Sequence, residues 1–449
     1  MPMLDGYRPC GQWAEIFPAL PAAPKGGASF TSTAGVNVII AGTATALYRG
    51  LTAGFDEIGS GYSLQGDARW RFAQFGGLAI ATNGADPMQK IDLAESTVTV
   101  LGGSPPKFEM LAVVKDFLVG GVHDGNILKL GWSGINNAES WTPGIDQSDF
   151  QIMPTGGRIT GILSGEFGVI LQKQRICRMD YVGGATIFEI NEVSSNIGCV
   201  SVHTVAQWGR LGFFWSEQGP MMWDGAQVIP IGEEKVNRWI AAQYGRATWP
   251  QMSTAIDPVQ GVVLWAVPDR IIGYNWKLER WFTLPYAARI IFGGATRDIS
   301  IDEQDPDVGS LDDDIDGLGL LPLDDATFSG GDPRLYVFSS SFALGAFTGT
   351  PMVATLELGD IEFFAGRRAD TRWVRPETDG VSGLTLTLGY RQRLGDSLTD
   401  ASYSTLVTSG DMPVRTSARY HRPKLVHAAA STWTYSKGLD FTAKIGAGR

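Results

Sequence analysis

The chain has few of the residues from which common enzyme sites are built. Its three cysteines and four histidines are too few for a disulfide framework and lack the spacing of a zinc site. The cysteines, Cys10, Cys177 and Cys199, are therefore predicted to be buried thiols in a chain that folds in a reducing cytoplasm. A Gly-x-Ser-x-Gly elbow, a P-loop and a His-Glu-x-x-His motif are also missing. We expect no enzymatic activity and no cofactor.

Long apolar runs and helical periodicity are scarce as well. No run of about 18 apolar residues occurs, and residues 1–20 lack the basic and apolar regions of a signal peptide. We therefore expect no membrane insertion by this chain. The best helix prediction is 234–244, where Val236, Trp239, Ile240 and Tyr244 share one face.

A short pattern recurs about seven times, and it predicts the fold. Each copy is a loop ending in Gly or Asp followed by an apolar run, and 57 glycines supply the tight turns between strands. The clearest copies, and then two weaker ones, are residues 77–84, 116–125, 167–173, 212–219 and 261–267, and 36–48 and 335–341. Most successive copies are roughly 38 to 52 residues apart, which suits one four-stranded blade each. The sequence predicts an all-β chain whose main part is a β-propeller of six or seven blades.

Composition predicts three regions. Residues 1–30 contain Pro18, Pro21 and Pro24 followed by two glycines, so they are predicted to form an extended arm, which either lies on a neighbouring subunit or leads into the first blade. Residues 31–350 are predicted to form the propeller. Residues 351–449 have longer alternating strands, such as 384–391 and 439–445, and are predicted to form a C-terminal antiparallel β-sandwich.

An acidic insertion interrupts the propeller pattern at 298–332. It contains twelve Asp or Glu and no Lys or Arg. Asp312, Asp314 and Asp316 are spaced as at the start of an EF-hand loop, but the twelfth position is Leu323 where a bidentate Glu is needed. These three aspartates are the metal-ligand candidates of an incomplete motif. The segment is equally open to contact with a neighbouring subunit or to mobility.

Charge is distributed unevenly along the chain. The total is −11, whereas residues 366–449 carry 13 Lys or Arg against 7 Asp or Glu, a balance of +6 that leaves −17 for the rest. An acidic body repels nucleic acid. The basic end is predicted to dock an acidic partner or a neighbouring ring through four arginines, which are Arg367, Arg368, Arg372 and Arg375.

Two other kinds of recognition are considered. Arg175, Arg178 and Arg210 are candidates for phosphate contact, without a surrounding basic patch. The fourteen tryptophans suit either sugar stacking or packing between blades, and packing is favoured because large rings stabilise such interfaces. The tryptophans concerned include Trp132, Trp141, Trp215, Trp223, Trp265, Trp276 and Trp281.

Several segments follow one another in an order known from one protein family. They are residues 156–162 with 167–173 and 176–184, then 196–199, then the hairpin 208–225. Residues 131–143 add a Trp-Ser-x-x-Asn-x-x-x-x-Trp loop, and Arg419-Tyr420 lies in a comparable terminal strand. Together these segments resemble the packaged-DNA stabilisation proteins of short-tailed bacteriophages.

The resemblance implies a structural role in a phage tail. Such a protein is a tail nozzle or hub, a ring with six-fold symmetry below the portal and adaptor that closes and lines the DNA exit channel until ejection. It implies a homohexamer in the virion, assembled in the host cytoplasm, with portal, adaptor and tail spike, fibre or needle proteins as partners. Double-stranded DNA would pass without specific binding, and the family supplies no catalytic residues.

Two other functions remain open from the residues. The first is a receptor- or glycan-binding tail propeller, with or without glycosidase activity, which requires an aromatic-lined pocket. The second is a soluble bacterial propeller enzyme, which requires a cluster of carboxylates on the propeller axis.

Overall fold

The computed structural model describes residues 1–51, 54–95, 97–184, 186–296 and 331–446. These residues form an all-β protein with two compact units. The first unit combines Met1–Ala14 with Phe347–Arg449, and the second is Glu15–Ala346. Nearly all of the acidic insertion, including Asp312, Asp314 and Asp316, lies outside the described residues.

Short strands make up most of the chain before residue 347. In chain order they are β1 (Pro2–Met3), β2 (Gly6–Tyr7), β3 (Ala14–Phe17), β4 (Gly26–Thr31), β5 (Asn37–Gly42), β6 (Ala46–Leu51), β7 (Gly54–Ser60), β8 (Arg71–Phe75), β9 (Leu78–Thr82), β10 (Gln89–Asp92), β11 (Val98–Val100), β12 (Met110–Val114), β13 (Phe117–His123), β14 (Asn126–Trp132) and β15 (Asp149–Ile152). They continue with β16 (Ile159–Leu163), β17 (Gly168–Gln172), β18 (Ile176–Tyr181), β19 (Phe188–Ser194), β20 (Ala206–Trp208), β21 (Leu211–Ser216), β22 (Gly219–Trp223), β23 (Val228–Pro230), β24 (Ser253–Asp257), β25 (Val262–Ala266), β26 (Ile271–Asn275), β27 (Arg280–Leu284), β28 (Ile290–Ala295), β29 (Pro333–Phe338) and β30 (Leu344–Ala346).

The described part of the second unit folds into seven four-stranded antiparallel sheets. Six of them use four consecutive strands each, from β4–β7 to β24–β27. The seventh has the order β28-β29-β30-β3, so its last strand comes from the start of the chain. Each copy of the recurring sequence pattern contributes the second strand of one sheet (β5, β9, β13, β17, β21, β25 and β29). The prediction of one four-stranded sheet per repeat is confirmed.

Contacts between sheets run along this series and return to its beginning. First strands touch in the pairs β4 with β8, β8 with β12, β12 with β16, β20 with β24, β24 with β28 and β28 with β4. The fourth and fifth sheets share a core that includes Leu171 and Phe214. The seventh and first sheets share another that includes Phe338, Phe17 and Ile39. This succession is propeller-like.

Residues 1–30 differ from the predicted irregular arm, because they contain β1, β2, β3 and β4. The pair Gly26-Gly27, interpreted from the sequence as a break, lies inside β4. A Cβ on Gly26 would lie 2.8 Å from the backbone oxygen of Trp70, and one on Gly27 would lie 2.6 Å from the ring of Phe292. These glycines are therefore required by close packing rather than by a turn.

The first unit has two antiparallel sheets. Its remaining strands are β31 (Ala354–Glu357), β32 (Ala369–Thr378), β33 (Leu384–Arg391), β34 (Thr399–Tyr403), β35 (Met412–Ala418), β36 (Tyr420–His427) and β37 (Ser436–Ile445). The sheet orders are β1-β2-β37-β32-β35 and β31-β36-β33-β34. Val374 and Met412 of the first sheet share one core with Leu386 and Leu425 of the second.

Helix is rare among the described residues. The helix α1 (Asn237–Gln243) lies inside the predicted span 234–244, and Ile240 and Tyr244 are buried as expected. Two 3₁₀ turns, η1 (Val202–Thr204) and η2 (Arg246–Gln251), precede β20 and β24. Across the described ranges, no helix combines the length and apolar character that a membrane crossing requires.

Candidate functional site

A cavity of about 540 Å³ lies among the leading ends of the first strands in the second unit. Its walls come from five consecutive sheets, the second to the sixth. The polar and charged side chains that line it are those of Gln65, Asp67, Arg69, Arg71, Asn83, Glu109, Arg158, Thr160, Ser201 and His203. We call this cavity the arginine pocket.

Strand alternation brings two arginines into the pocket. Arg69 and Arg71 flank Trp70, and side chains two residues apart in an extended segment point to the same side. Trp70 points the other way, is only 2% exposed and packs in the core between the first and second sheets. Burial of the indole therefore turns both guanidinium groups toward the cavity.

Arg69 is held by neutral acceptors. It donates hydrogen bonds to the carbonyl oxygens of Met252 at 2.6 Å and Gln251 at 2.8 Å. Burial, together with the nearby charge of Arg71, lowers the pKa of Arg69 to about 9. Since backbone carbonyls carry no formal charge, these contacts orient the guanidinium without neutralising it.

Arg71 has an uncharged partner too. Its Nη2 lies 2.6 Å from Nδ1 of His203, and burial lowers the pKa of Arg71 to about 10. Burial first, and then the charges of Arg71 and Arg69, lower the pKa of His203 far below its ordinary value. His203 is therefore neutral at physiological pH, and its Nδ1 accepts the proton that Arg71 donates.

Arg158 differs because it has a carboxylate partner. Its Nη2 pairs with Oε2 of Glu109, and the two side chains are 40% and 38% exposed. This pair is accessible to water, whereas Arg69 and Arg71 are more deeply placed. Three guanidinium groups thus line the pocket together with the carboxylates of Glu109 and Asp67, and His203 is neutral. The arrangement favours an anion, and its arginines supply fixed donors rather than a nucleophile.

The four arginines predicted for docking lie in the first unit, and their environments differ. Arg367 and Arg372 are exposed. Arg368 donates to the carbonyl of Ser417 at 3.2 Å. Arg375 makes two hydrogen bonds to the Asp411 carboxylate, at 2.9 and 3.2 Å, which hold the pKa of that carboxyl below its usual value. Only Arg367 and Arg372 thus leave their charge available at the surface described by the structure.

The phosphate candidates from the sequence are also mostly paired. Arg175 contacts Glu192 at 2.7 Å, and Arg178 contacts Asp180 at 2.8 Å. Sequence reasoning missed Arg69 and Arg71, which match no named motif. The available signal was an Arg-Trp-Arg alternation at the start of a strand, because a buried Trp fixes the side to which its neighbours point.

Aromatic and acidic candidates are mainly structural. Trp132, Trp141, Trp215, Trp223 and Trp265 are buried, and Trp276 and Trp281 pack against a core, so the packing interpretation is confirmed for these tryptophans. Cys10, Cys177 and Cys199 are buried free thiols, as predicted. Over the described ranges, no three His, Cys, Asp or Glu side chains are grouped as ligands of a metal ion.

Comparison with known proteins gives structural similarity alone. No family model matches the chain, and no curated protein matches it. The extracellular domain of a hybrid two-component system from B. thetaiotaomicron is similar over 89% of this chain and 48% of its own length, with 9% identity and a TM-score of 0.45. The chain thus spans about half the length of that structure. The β-propeller domain of Myceliophteria thermophila Cps50 (Swd1) is similar over 63% of this chain and 92% of its own, with 10% identity and a TM-score of 0.41. These values assign no ligand or activity.

Proposed function

We propose that the seven sheets are the blades of a closed propeller, joined to a C-terminal β-sandwich, and that the protein is a structural ring component of a phage tail. In this role six copies form the nozzle or hub below the portal and adaptor, and the ring retains packaged DNA until ejection. The observation that supports the proposal is the seventh sheet, in which β3 from the start of the chain pairs beside β30.

This closure suits a part that must resist force. To separate the first and last sheets, the bonds between β3 and β30 must break and the shared core of Phe17, Ile39 and Phe338 must be exposed. Radial closure also leaves only short, protected strand edges. A component that confines a genome under pressure needs such resistance more than it needs a reactive group.

The segments that carry the family resemblance have scaffold roles, which supports a similarity at the level of the frame. In the Trp-Ser-x-x-Asn-x-x-x-x-Trp loop, Trp132 donates to the carbonyl of Gln147 at 2.9 Å and Trp141 to that of Ala138 at 2.6 Å. Ser133 accepts from the backbone N–H of Leu118 at 3.0 Å. The loop is thereby fixed against β13.

Charge suggests how the ring contacts its neighbours. Arg367 and Arg372 provide positive charge on the first unit without an ion pair among the described residues. The acidic residues of 298–332 carry most of the negative charge of the rest of the chain. We propose that the two arginines dock an acidic surface of a tail partner, and that DNA passes without phosphate contacts because like charges repel.

The test is assembly with the portal–adaptor complex encoded beside this chain. The full-length protein and the double variant Arg367→Glu/Arg372→Glu are each mixed with that complex and sedimented, and rings are counted by negative-stain microscopy. We expect six-fold rings and co-sedimentation for the native sequence, and loss of co-sedimentation with an unchanged Tm for the variant. The double variant Arg210→Glu/Arg238→Glu makes the same charge change at exposed positions of the other unit and should behave as the native protein.

Two results would count against the proposal. A chain that stays monomeric in the presence of the complex would contradict the ring. Rings that still bind the complex after reversal of Arg367 and Arg372 would contradict docking through these residues.

A second candidate function is glycan binding, and one observation favours it. Trp373 is 40% exposed beside a cavity of about 250 Å³ that is also lined by Arg375, Asp411, Asp440 and Thr442. An exposed indole with adjacent carboxylates is suited to stack on a sugar ring and to accept its hydroxyl groups. Binding to a glycan array that is abolished by Trp373→Ala would favour this function, and no binding by the native chain would exclude it.

A further inference from the structure

We propose that the arginine pocket binds a small molecule that carries a phosphate or carboxylate group. This site lies in the second unit and does not depend on the proposed role in a tail ring. The inference rests on the partners of its two inner arginines, on the volume of the cavity and on the charges at its edge.

The inner arginines are arranged unlike those of a structural ion pair. Arg71 lies against neutral His203, and Arg69 lies against backbone carbonyls. In the part of the chain that the structure describes, neither has a carboxylate within ion-pair distance. A buried charge is destabilising unless a counter-charge reaches it. An oxyanion in the cavity supplies that counter-charge.

The contacts already made preorganise Arg71 for such a ligand. A guanidinium has five N–H donors in a planar fork, and the described hydrogen bond of Arg71 uses only the one toward His203. The backbone of His203 is itself fixed, because Thr254 donates to its carbonyl at 2.8 Å and Ser201 accepts from its N–H at 3.2 Å. The remaining donors suit bidentate recognition of a carboxylate or phosphate.

The cavity favours a small ligand over nucleic acid. Its volume of about 540 Å³ lies in the range of small-molecule sites. Met110, Ile159 and Val202 line it beside the arginines, so an uncharged body of the ligand has apolar surface to contact. Glu109 and exposed Asp67 are at the same cavity, and their charges oppose the approach of a polyanion.

The experiment uses the full-length chain with three probes: inorganic phosphate, sulfate and malonate. Thermal unfolding and titration calorimetry are run at constant ionic strength, with sodium chloride as the reference. For the probe that matches the site, we expect Tm to rise by about 3 °C or more near one hundred times its Kd. A response to phosphate and sulfate identifies a phosphate-type ligand, and a response to malonate alone identifies a carboxylate.

The variant Arg71→Met separates binding from folding. It removes a buried charge that has no carboxylate partner, so the protein should keep its Tm without anion and lose affinity by about 10- to 100-fold. Arg210→Met, at an exposed arginine outside the pocket, should bind as the native chain does. If Arg71→Met does not fold, Arg71→Lys keeps the charge but loses the fork, and it should bind about 10-fold more weakly.

Two results would overturn the inference. One is the absence of any shift above that of sodium chloride for all three probes. The other is an equal shift in the native chain and the Arg71 variants. A failure of the tail assembly test would leave both readouts unchanged, since neither requires a partner protein.

Discussion

The indole N–H of Trp70 donates a hydrogen bond to the carbonyl oxygen of Thr43 at 2.8 Å. This bond joins the segment before β8 to the turn after β5, and so it connects the second sheet to the first. Because Trp70 lies between Arg69 and Arg71, the same contact sets the direction of both pocket arginines. One buried ring thus serves the packing of the sheets and the geometry of the candidate site.

Gly42→Ala should disturb this contact. A Cβ at Gly42 would overlap the Trp70 ring, and the ring has no space to move because it is 2% exposed. Overpacking combined with a weakened hydrogen bond predicts a loss of about 2 kcal/mol or more in the free energy of unfolding. Urea unfolding followed by tryptophan fluorescence measures it.

Gly245→Ala is the matched control for that substitution. A Cβ there meets nothing within 4 Å, and the residue has a φ of −75°, which alanine adopts readily. We expect its effect to stay within about 0.5 kcal/mol. Equal effects of the two substitutions would contradict the packing described for Trp70.

Closure of the seventh sheet makes Phe17 important for stability. Phe17 in β3 is 5% exposed, packs in the core shared by the seventh and first sheets, and lies 5.3 Å from the Phe55 ring, centroid to centroid. Phe17→Ala should cost about 3–5 kcal/mol. Val100→Ala, at a residue that is 60% exposed, should cost less than about 0.5 kcal/mol. A Phe17 variant as stable as the Val100 variant would show that β3 does not secure the ring.

The stability of the first unit should depend on pH through His421. This side chain is fully buried in β36, and burial lowers its pKa from 6.5 to about 4. As the pH falls below 6.5 the unfolded chain takes up the proton first, so a stabilisation that is complete above pH 6.5 is lost between 6.5 and 4. The loss approaches about 3 kcal/mol.

The measurement is urea unfolding of the full chain at pH 7 and pH 4.5, for the native sequence and for His421→Gln. His427 and His203 also have lowered pKa values, and they contribute equally to both proteins. The difference between the two pH dependences therefore isolates His421. A native chain and a variant with the same loss would refute this assignment.

The three thiols should be unreactive in the folded protein. Cys10, Cys177 and Cys199 are 8%, 0% and 0% exposed, and burial raises the pKa of the Cys177 and Cys199 thiols. Since the thiolate is the reactive form, a disulfide reagent at pH 8 should modify them far more slowly than free cysteine. All three should react in guanidinium. One rapidly modified thiol in the folded state would contradict the burial described.

The local part of the fold could be predicted from sequence. The recurring pattern located the second strand of every sheet in the second unit, and the span 384–391 coincides with β33. Asp124-Gly125 was predicted as a hairpin turn, and both residues have positive φ, 48° and 79°. These features depend on side-chain alternation and on turn residues within a few positions, which a sequence displays directly.

The non-local part could not be predicted in this way. Nothing within residues 14–17 indicates pairing beside β30, more than 300 residues later. The arginine pocket likewise draws residues from five sheets, and Arg71 and His203 are 132 positions apart. Contacts of this kind depend on the order in which the sheets are arranged, and local periodicity carries no information about that order.

Cryo-electron microscopy of intact particles that contain this chain tests the central claim most directly. The account predicts six copies in one ring around the DNA exit channel below the portal and adaptor, each with a closed seven-sheet body. Particles that lack the chain, or a map in which it forms no ring around that channel, would contradict the account.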